Sequence, residues 1–230
     1  MLPPLHNARL YCILDLGYTP EARAEQVTAS LLAGGADILQ LRAKNHDLAT
    51  IERVARRLLP LCRAAGVPFI LNDHPALAAA LGADGVHIGQ DDGSLAEARE
   101  LYLSSSPPFQ NPKSKIPNHP SPLLPIIGRS THSLAQARAA LAEGFDYIGF
   151  GPLFPTPTKA GRPAIGLEEI SIMEREIGSH IPAFCIGGIT PETLPQVLNA
   201  GAKRVVVVSA LLQSPDIQPA TRAICQALSS

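Results

Sequence analysis

Tyr147-Ile-Gly-Phe150, running straight into Gly151-Pro-Leu-Phe-Pro-Thr-Pro-Thr-Lys159, is the stretch whose reading decides the fold. A short apolar run ends in a stiff loop that carries two hydroxyls and an ammonium. Gly149 and Gly151 admit close backbone approach, and Pro152, Pro155 and Pro157 fix φ and lower the entropy of the loop. Thr156, Thr158 and Lys159 add O–H and N–H donors, so this strand end is suited to an anion. Alone, the segment reads equally well as a Pro-rich surface turn. It gains weight because the same order (apolar run, polar strand end, amphipathic segment) recurs along the chain.

Working outward from it, Leu10-Tyr-Cys-Ile-Leu14 precedes helical spacing from Pro20 to Ala33, stopped by Gly34-Gly35. Ile38-Leu-Gln-Leu41 ends on Arg42-Ala-Lys44 and precedes an amphipathic segment from Asp47 to Ala65. Val67 to Leu71 ends on Asn72-Asp73, and Gly85-Val-His-Ile88 ends on Gly89-Gln-Asp-Asp92, each followed by a helical stretch. Ile126-Ile127 leads to Gly128-Arg-Ser-Thr-His132, and Ala183-Phe-Cys-Ile186 to Gly187-Gly-Ile189. Thr190 and Pro191 open a helix there as N-cap and first residue, and after Arg204 to Val208 one last helix closes the chain. Eight strand-then-helix units without a hairpin signal imply an α/β fold, a single (β/α)8 TIM barrel.

The bulk numbers agree. A chain of 230 residues is ordinary for one such barrel, so a single domain spanning 1–230 is expected. Hydrophobic residues make up 46% and charged ones 17%, with no Trp, so the interior is built from aliphatic side chains, as a doubly buried parallel sheet requires. From Ser104 to Pro125 the sequence is too rich in Ser, Asn and Pro for a helix or core; it reads as a flexible, disordered insertion between the fourth helix and fifth strand, remote from the chemistry. A formal net charge of -1 gives no general attraction for nucleic acid or an anionic membrane. No apolar run reaches the roughly 20 residues of a membrane span and no signal peptide is evident, so a cytoplasmic location is expected. Cys12, Cys62, Cys185 and Cys225 are widely spaced among apolar neighbours and read as reduced core thiols.

In a TIM barrel the C-terminal strand ends share one mouth. That gathers Gln40, Arg42, Lys44, Asn72, Asp73, Asp91, Asp92, Ser130, His132, Thr156, Thr158, Lys159, Gly187, Gly188, Val208 and Ser209. Arg42, Lys44 and Lys159 can surround a polyphosphate, and Asp73 with Asp92 suit Mg²⁺, a hard cation that shares its remaining positions with water and phosphate oxygens. For either Asp alone a helix N-cap is the simpler reading. Gly187-Gly188 and Val208-Ser209-Ala210 fit the phosphate pocket expected after strands seven and eight, although Gly188 also fits a plain helix-entry turn. His132 reads as a packing or hydrogen-bonding histidine at a strand end.

The ordered motifs Gln40-Leu-Arg-Ala-Lys44, Asn72-Asp73, Gly85 to Asp92, Gly128 to Ser133, Asp146 to Pro152, Thr156 to Lys159, Ile186 to Thr190 and Val208-Ser209 resemble those of thiamine phosphate synthases. The resemblance covers nearly the whole chain outside the Pro-rich insertion. It implies a Mg²⁺-dependent transferase that joins a hydroxymethylpyrimidine diphosphate to a thiazole phosphate and releases pyrophosphate. It further implies diphosphate-side contacts at Gln40, Arg42, Lys44, Asn72, Ser130 and Lys159, with Leu41 and Ala43 of the same motif also substrate-binding and Arg42, Lys44, Ser130 and Lys159 catalytic. Thiazole phosphate contacts map to Thr156, Pro157, Thr158, Gly188, Val208 and Ser209, and Mg²⁺ to Asp73 and Asp92; Asp91 stands where the family commonly has Glu and is left out. His74 and Arg129 also depart from the family pattern. Partners are expected to be small molecules, with self-association as a homo-oligomer left open. Arg129 to Ser133 is similar to the thiazole tautomerases as well, and a non-catalytic phosphate-binding barrel is a third reading.

Overall fold

A computed structural model describes residues 5–106, 124–156 and 163–229. Eight strands, β1 (Leu10–Asp15), β2 (Ile38–Arg42), β3 (Phe69–Asn72), β4 (Gly85–Ile88), β5 (Ile126–Thr131), β6 (Tyr147–Phe150), β7 (Ala183–Ile186) and β8 (Val205–Val207), close into a barrel in chain order. Every pairing is parallel, including β8 back onto β1. Around them lie α1 (Ala24–Gly34), α2 (Leu48–Ala65), α3 (Pro75–Leu81), α4 (Leu95–Ser105), α5 (Leu134–Glu143), α6 (Ile170–Met173), α7 (Leu194–Asn199), α8 (Ser209–Leu212) and α9 (Ile217–Ala227). The expected (β/α)8 TIM barrel is the fold.

Alternation along each strand sorts its side chains into two cores. Leu10, Cys12, Leu14, Leu39, Leu41, Phe69 and Leu71 face outward and pack under the helices, where α2 contributes Ile51, Val54, Leu58 and Cys62. Tyr11, Ile13, Ile38, Ile70, Tyr147, Phe184 and Val206 fill the lumen.

The face opposite the strand C-termini is tied by a device used three times. Asp37, Asp84 and Asp146 each stand just before an even-numbered strand. Their backbone N–H groups donate to the carbonyls of Leu10, Phe69 and Ile127, and their carboxylates accept the N–H of those same residues at 2.9, 2.8 and 2.8 Å. Each aspartate thus satisfies a strand-start donor that would otherwise lie unpaired at the barrel rim.

Several boundaries differ from the sequence reading. Helix α4 runs on through Ser104 and Ser105, because Tyr102 is buried and donates its hydroxyl to the Ala83 carbonyl while Ser106 Oγ donates to the Tyr102 carbonyl at 3.0 Å. The remaining part of the 104–125 insertion lies at 107–123, outside the described residues, and Leu124-Pro125 lead directly into β5. The helix expected from about Leu167 begins at Ile170 and widens into a π-helical turn, Glu174–Gly178, where the buried Glu174 accepts the Lys203 N–H at 3.2 Å. Helix α7 starts at Leu194, not at Pro191; Thr190 instead closes a turn by accepting the Thr193 N–H. The single last helix is two, α8 and α9. Cys12, Cys62 and Cys185 are buried thiols, whereas Cys225 is half-buried and donates to the Gly35 carbonyl at 3.2 Å.

Asp146→Ala removes the acceptor for the Ile127 N–H and is expected to cost about 1–3 kcal/mol, the desolvation of an unpaired backbone donor. Asp146→Asn keeps an acceptor oxygen and is expected to lose less than half as much. Urea midpoints of the two variants measured side by side check the assignment.

Candidate active site

A cleft opens at the C-terminal ends of the strands. Gln40 and Arg42 of β2, Asn72 of β3, Ser130 of β5, Thr156 after β6, Gly188 after β7, and Val208-Ser209 after β8 line it, so these eight strand-end residues from the sequence do converge. Leu41 and Ala43 have the opposite parity: both side chains lie in the outer core under the helices, which leaves only their backbone to the mouth. Pro157, Thr158 and Lys159 lie outside the described residues.

Arg42 does not stand alone. Asp15 is its register partner across β1 and β2, and the Asp15 carboxylate ion-pairs with the Arg42 guanidinium while also accepting the Gly17 N–H at 2.8 Å. Asp15 is buried, so this pair is fixed in a low-dielectric setting. By sequence Asp15 is part of Leu14-Asp-Leu16, the end of the first strand, which is close to the family pattern but departs from it.

Lys44 and Asp73 form a looser pair at 3.5 Å, with half of the lysine side chain exposed. Asp73 is the only described non-glycine residue with positive φ, 65°. Burial pushes its carboxyl above the ordinary range; the Lys44 ammonium pulls it back, and the adjacent Asp92 carboxylate adds to the rise by like charge. Asp92 itself accepts the Gly89 N–H at 2.6 Å. Among the described residues no group of three or more His, Cys, Asp or Glu side chains is arranged around a metal site.

Ser130 sits on the floor, 2.9 Å from His87 Nε2, and its carbonyl accepts from the Gln90 side chain at 2.5 Å. His87 lines the cleft although its run, Gly85-Val-His-Ile88, reads simply as strand. Arg129, of the opposite parity, donates to the carbonyls of Gly93 and Gln90 and stacks over Phe145 with its guanidinium carbon 5.3 Å from the ring centroid. It thereby braces the loop that carries Asp92. His132 Nδ1 donates to the Gly151 carbonyl and its backbone N–H to Gln136 Oε1, a structural role within the turn.

Across the cleft, the loops after β6 and β7 pack against each other through bonds from Leu153 N–H to Ile186 O at 2.8 Å and from Phe154 N–H to Gly187 O at 3.1 Å. Gly188 has φ +67°, and a Cβ there would come within 2.6 Å of Phe154 Cβ. The glycine is therefore required by both backbone and space, which goes beyond a helix-entry turn. Beside it the short α8 begins at Ser209, the arrangement of a brief extra helix after strand eight.

A family model described as "Thiamine monophosphate synthase" matches residues 10–105 and 121–211. The chain is 42% identical over 222 residues to a thiamine-phosphate synthase of Thermus thermophilus, covering 96% of this chain and 97% of that protein. It is 39% identical to a thiamine-phosphate synthase of a Synechococcus species, of which it spans 58%. Among solved structures, thiamine phosphate pyrophosphorylase from Pyrococcus furiosus superposes with a TM-score of 0.79 at 28% identity, covering 97% of this chain and 96% of that one.

Gly66 and Gly188 share nearly the same φ, 69° and 67°, but only Gly188 is crowded; a Cβ on Gly66 meets nothing within 4 Å. Gly66→Ala is expected to cost about 1–2 kcal/mol for the left-handed backbone alone. Gly188→Ala is expected to cost more than that and to deform the loop pair. The difference between their unfolding free energies isolates the close approach at the mouth.

Proposed function

The chain belongs to the thiamine monophosphate synthase family, and from that premise we propose how its cleft carries the reaction. The bond between the pyrimidine methylene carbon and the diphosphate oxygen breaks, its electron pair leaving with pyrophosphate. The thiazole ring nitrogen supplies the pair for the new C–N bond, giving thiamine phosphate. The observation that supports this most is convergence: Gln40, Arg42, Asn72, Ser130, Thr156, Gly188, Val208 and Ser209, drawn from the C-terminal ends of six strands, line one cleft with the Lys44, Asp73 and Asp92 side chains nearby.

No side-chain nucleophile is needed for this chemistry. What the residues do is hold two anions in line and stabilise departing negative charge. Arg42, oriented by Asp15, and Lys44 take the diphosphate, with Ser130 and Asn72 as donors from the floor. Lys159 extends this cationic side in the proposal, and Thr156, Pro157, Thr158, Gly188, Val208 and Ser209 receive the thiazole phosphate.

Asp73 and Asp92 fit Mg²⁺: two carboxylates crowded together, hard oxygen donors only, with one of them destabilised by burial and like charge. When bound, the ion neutralises charge on the diphosphate oxygens. The remaining substrates are small molecules, and a cytoplasmic setting is proposed from that chemistry.

Pyrophosphate release is expected to require the pyrimidine diphosphate, the thiazole phosphate and Mg²⁺ together, with thiamine phosphate as co-product; conversion of a thiazole tautomer without release would overturn the proposal. Asp92→Ala is expected to lower turnover by about 10²-fold or more. For Asp73→Asn, the metal-free protein is expected to melt higher than wild type at neutral pH, because a crowded charge is gone and Asn tolerates the left-handed backbone. The same variant should lose the upward melting shift that Mg²⁺ confers on wild type.

A further inference from the structure

Beneath the cleft, five polar side chains form one continuous path through the lumen. Gln40 Nε2 lies 2.8 Å from the Tyr11 hydroxyl, Tyr11 and Tyr147 hydroxyls are 2.9 Å apart, Tyr147 is 3.1 Å from His87 Nδ1, and His87 Nε2 is 2.9 Å from Ser130 Oγ. The path starts on β2, passes through β1, β6 and β4, and ends on β5. Both of its ends, Gln40 and Ser130, line the cleft. The two tyrosines are packed edge-on against Phe184, with ring centroids 5.4 and 5.9 Å away.

The space for this path is built in. A Cβ on Gly128 would lie 2.0 Å from Tyr147 Cζ, so β5 gives up a side chain where the Tyr147 ring passes. An apolar lumen could have been filled by aliphatic residues at every level, as it is at Ile38, Ile70 and Val206. Two buried hydroxyls in that setting are tolerated only if each is satisfied.

Following the protons gives the path a direction. With the Gln40 amide N–H donating to Tyr11, the assignment that gives both buried hydroxyl protons an acceptor within the path sends the Tyr11 proton to Tyr147 oxygen and the Tyr147 proton to His87 Nδ1. Burial pushes both phenols well above their ordinary pKa, so both stay protonated. With Nδ1 accepting, a neutral imidazole carries its proton on Nε2 and donates it to Ser130 Oγ. Ser130, receiving at its oxygen, then has its own proton for an acceptor other than His87.

We infer that Tyr11 and Tyr147 are positioning residues, a buried relay that fixes His87 as the Nε2–H tautomer and Ser130 as a hydrogen-bond donor for an anionic ligand in the cleft. The anionic ligand rests on the functional reading above; the tautomer does not. The path also couples its ends. A Gln40 amide turned the other way would reverse every bond and make Ser130 donate back to His87, so a group that accepts at Ser130 favours the Gln40 orientation found here. Substrate contacts read from the sequence motifs include Gln40 and Ser130 but neither tyrosine.

The test uses two readouts. In ligand-free protein labelled with ¹⁵N-histidine, the His87 signals, identified by their loss in His87→Gln, are expected to show a bare Nδ1 and a protonated Nε2. Tyr147→Phe keeps the ring and its packing and is expected to shift His87 toward a mixture of tautomers. It is also expected to lower kcat about tenfold while leaving both KM values within about twofold, as loss of one hydrogen bond that matters mainly in the transition state would. Tyr147→Phe combined with Ser130→Ala is expected to be no slower than Ser130→Ala alone, and Tyr11→Phe should reproduce the tautomer shift should Tyr147→Phe fold poorly. A His87 found protonated on Nδ1, or rate losses that multiply in the double variant, would overturn the relay. A protein with the expected tautomer but no pyrophosphate release would overturn the functional reading instead.

Discussion

A closed barrel of parallel strands leaves each side chain one of two places, and a shift of one residue exchanges them. That constraint governs the site more than any single contact. On β2 it sends Gln40 and Arg42 to the lumen and mouth, and Leu41 with Ala43 to the outer core. On β5 it gives Gly128 and Ser130 to the inside while Arg129 is turned out to brace the loop bearing Asp92. Neighbouring residues in one short motif therefore have unrelated tasks. The β1–β2 register that sets Asp15 beside Arg42 is the same constraint seen across strands.

The two faces of the barrel are built on different energetic terms. Opposite the cleft, Asp37, Asp84 and Asp146 satisfy strand-start donors, and nothing there asks the backbone of these residues to be strained. At the mouth, Asp73 holds a left-handed backbone and its carboxyl is crowded by Asp92, while Gly188 is pressed against Phe154. Unfavourable terms of this kind persist only where surrounding structure over-determines them, and they gather where a ligand would relieve them. The fold's stability and its readiness to bind charge are thus placed at opposite ends.

The architecture is legible in the sequence because each strand is apolar and each strand end is polar, a contrast that survives without knowing any contact. Which residues face the lumen is not legible, because strands buried on both sides show no period of two in their hydrophobicity. Hence His87 is hidden inside Gly85-Val-His-Ile88, and Leu41 and Ala43 group with Gln40 and Arg42. Asp15 and the three aspartates at the opposite rim act on partners 15 to 28 residues away, which no local pattern announces. The break between α8 and α9 escapes notice because Asp216, the residue before α9, makes no side-chain capping bond. Lys159, Thr158 and Pro157 lie outside the described residues, so their part in the site stays with the motif that suggests them.

The two described cations at the mouth are held in ways that match their chemistry. Arg42 is locked by buried Asp15, yet a guanidinium has five N–H donors and the carboxylate needs only part of them. In the proposed reading it meets a phosphate oxygen while Asp15 keeps its direction set before a ligand arrives. Lys44 is half-exposed and 3.5 Å from Asp73, a mobile point charge that can move between that carboxylate and a phosphate. An Arg42→Lys exchange would keep the charge but lose the anchored fork, while Lys44→Arg would keep the charge but widen a head group that must pass between Asp73 and a ligand. A chain with formal net charge -1 attracts anions nowhere in general. In the proposed reading its selectivity for them comes from one fixed donor array and one adjustable charge set side by side at the end of β2.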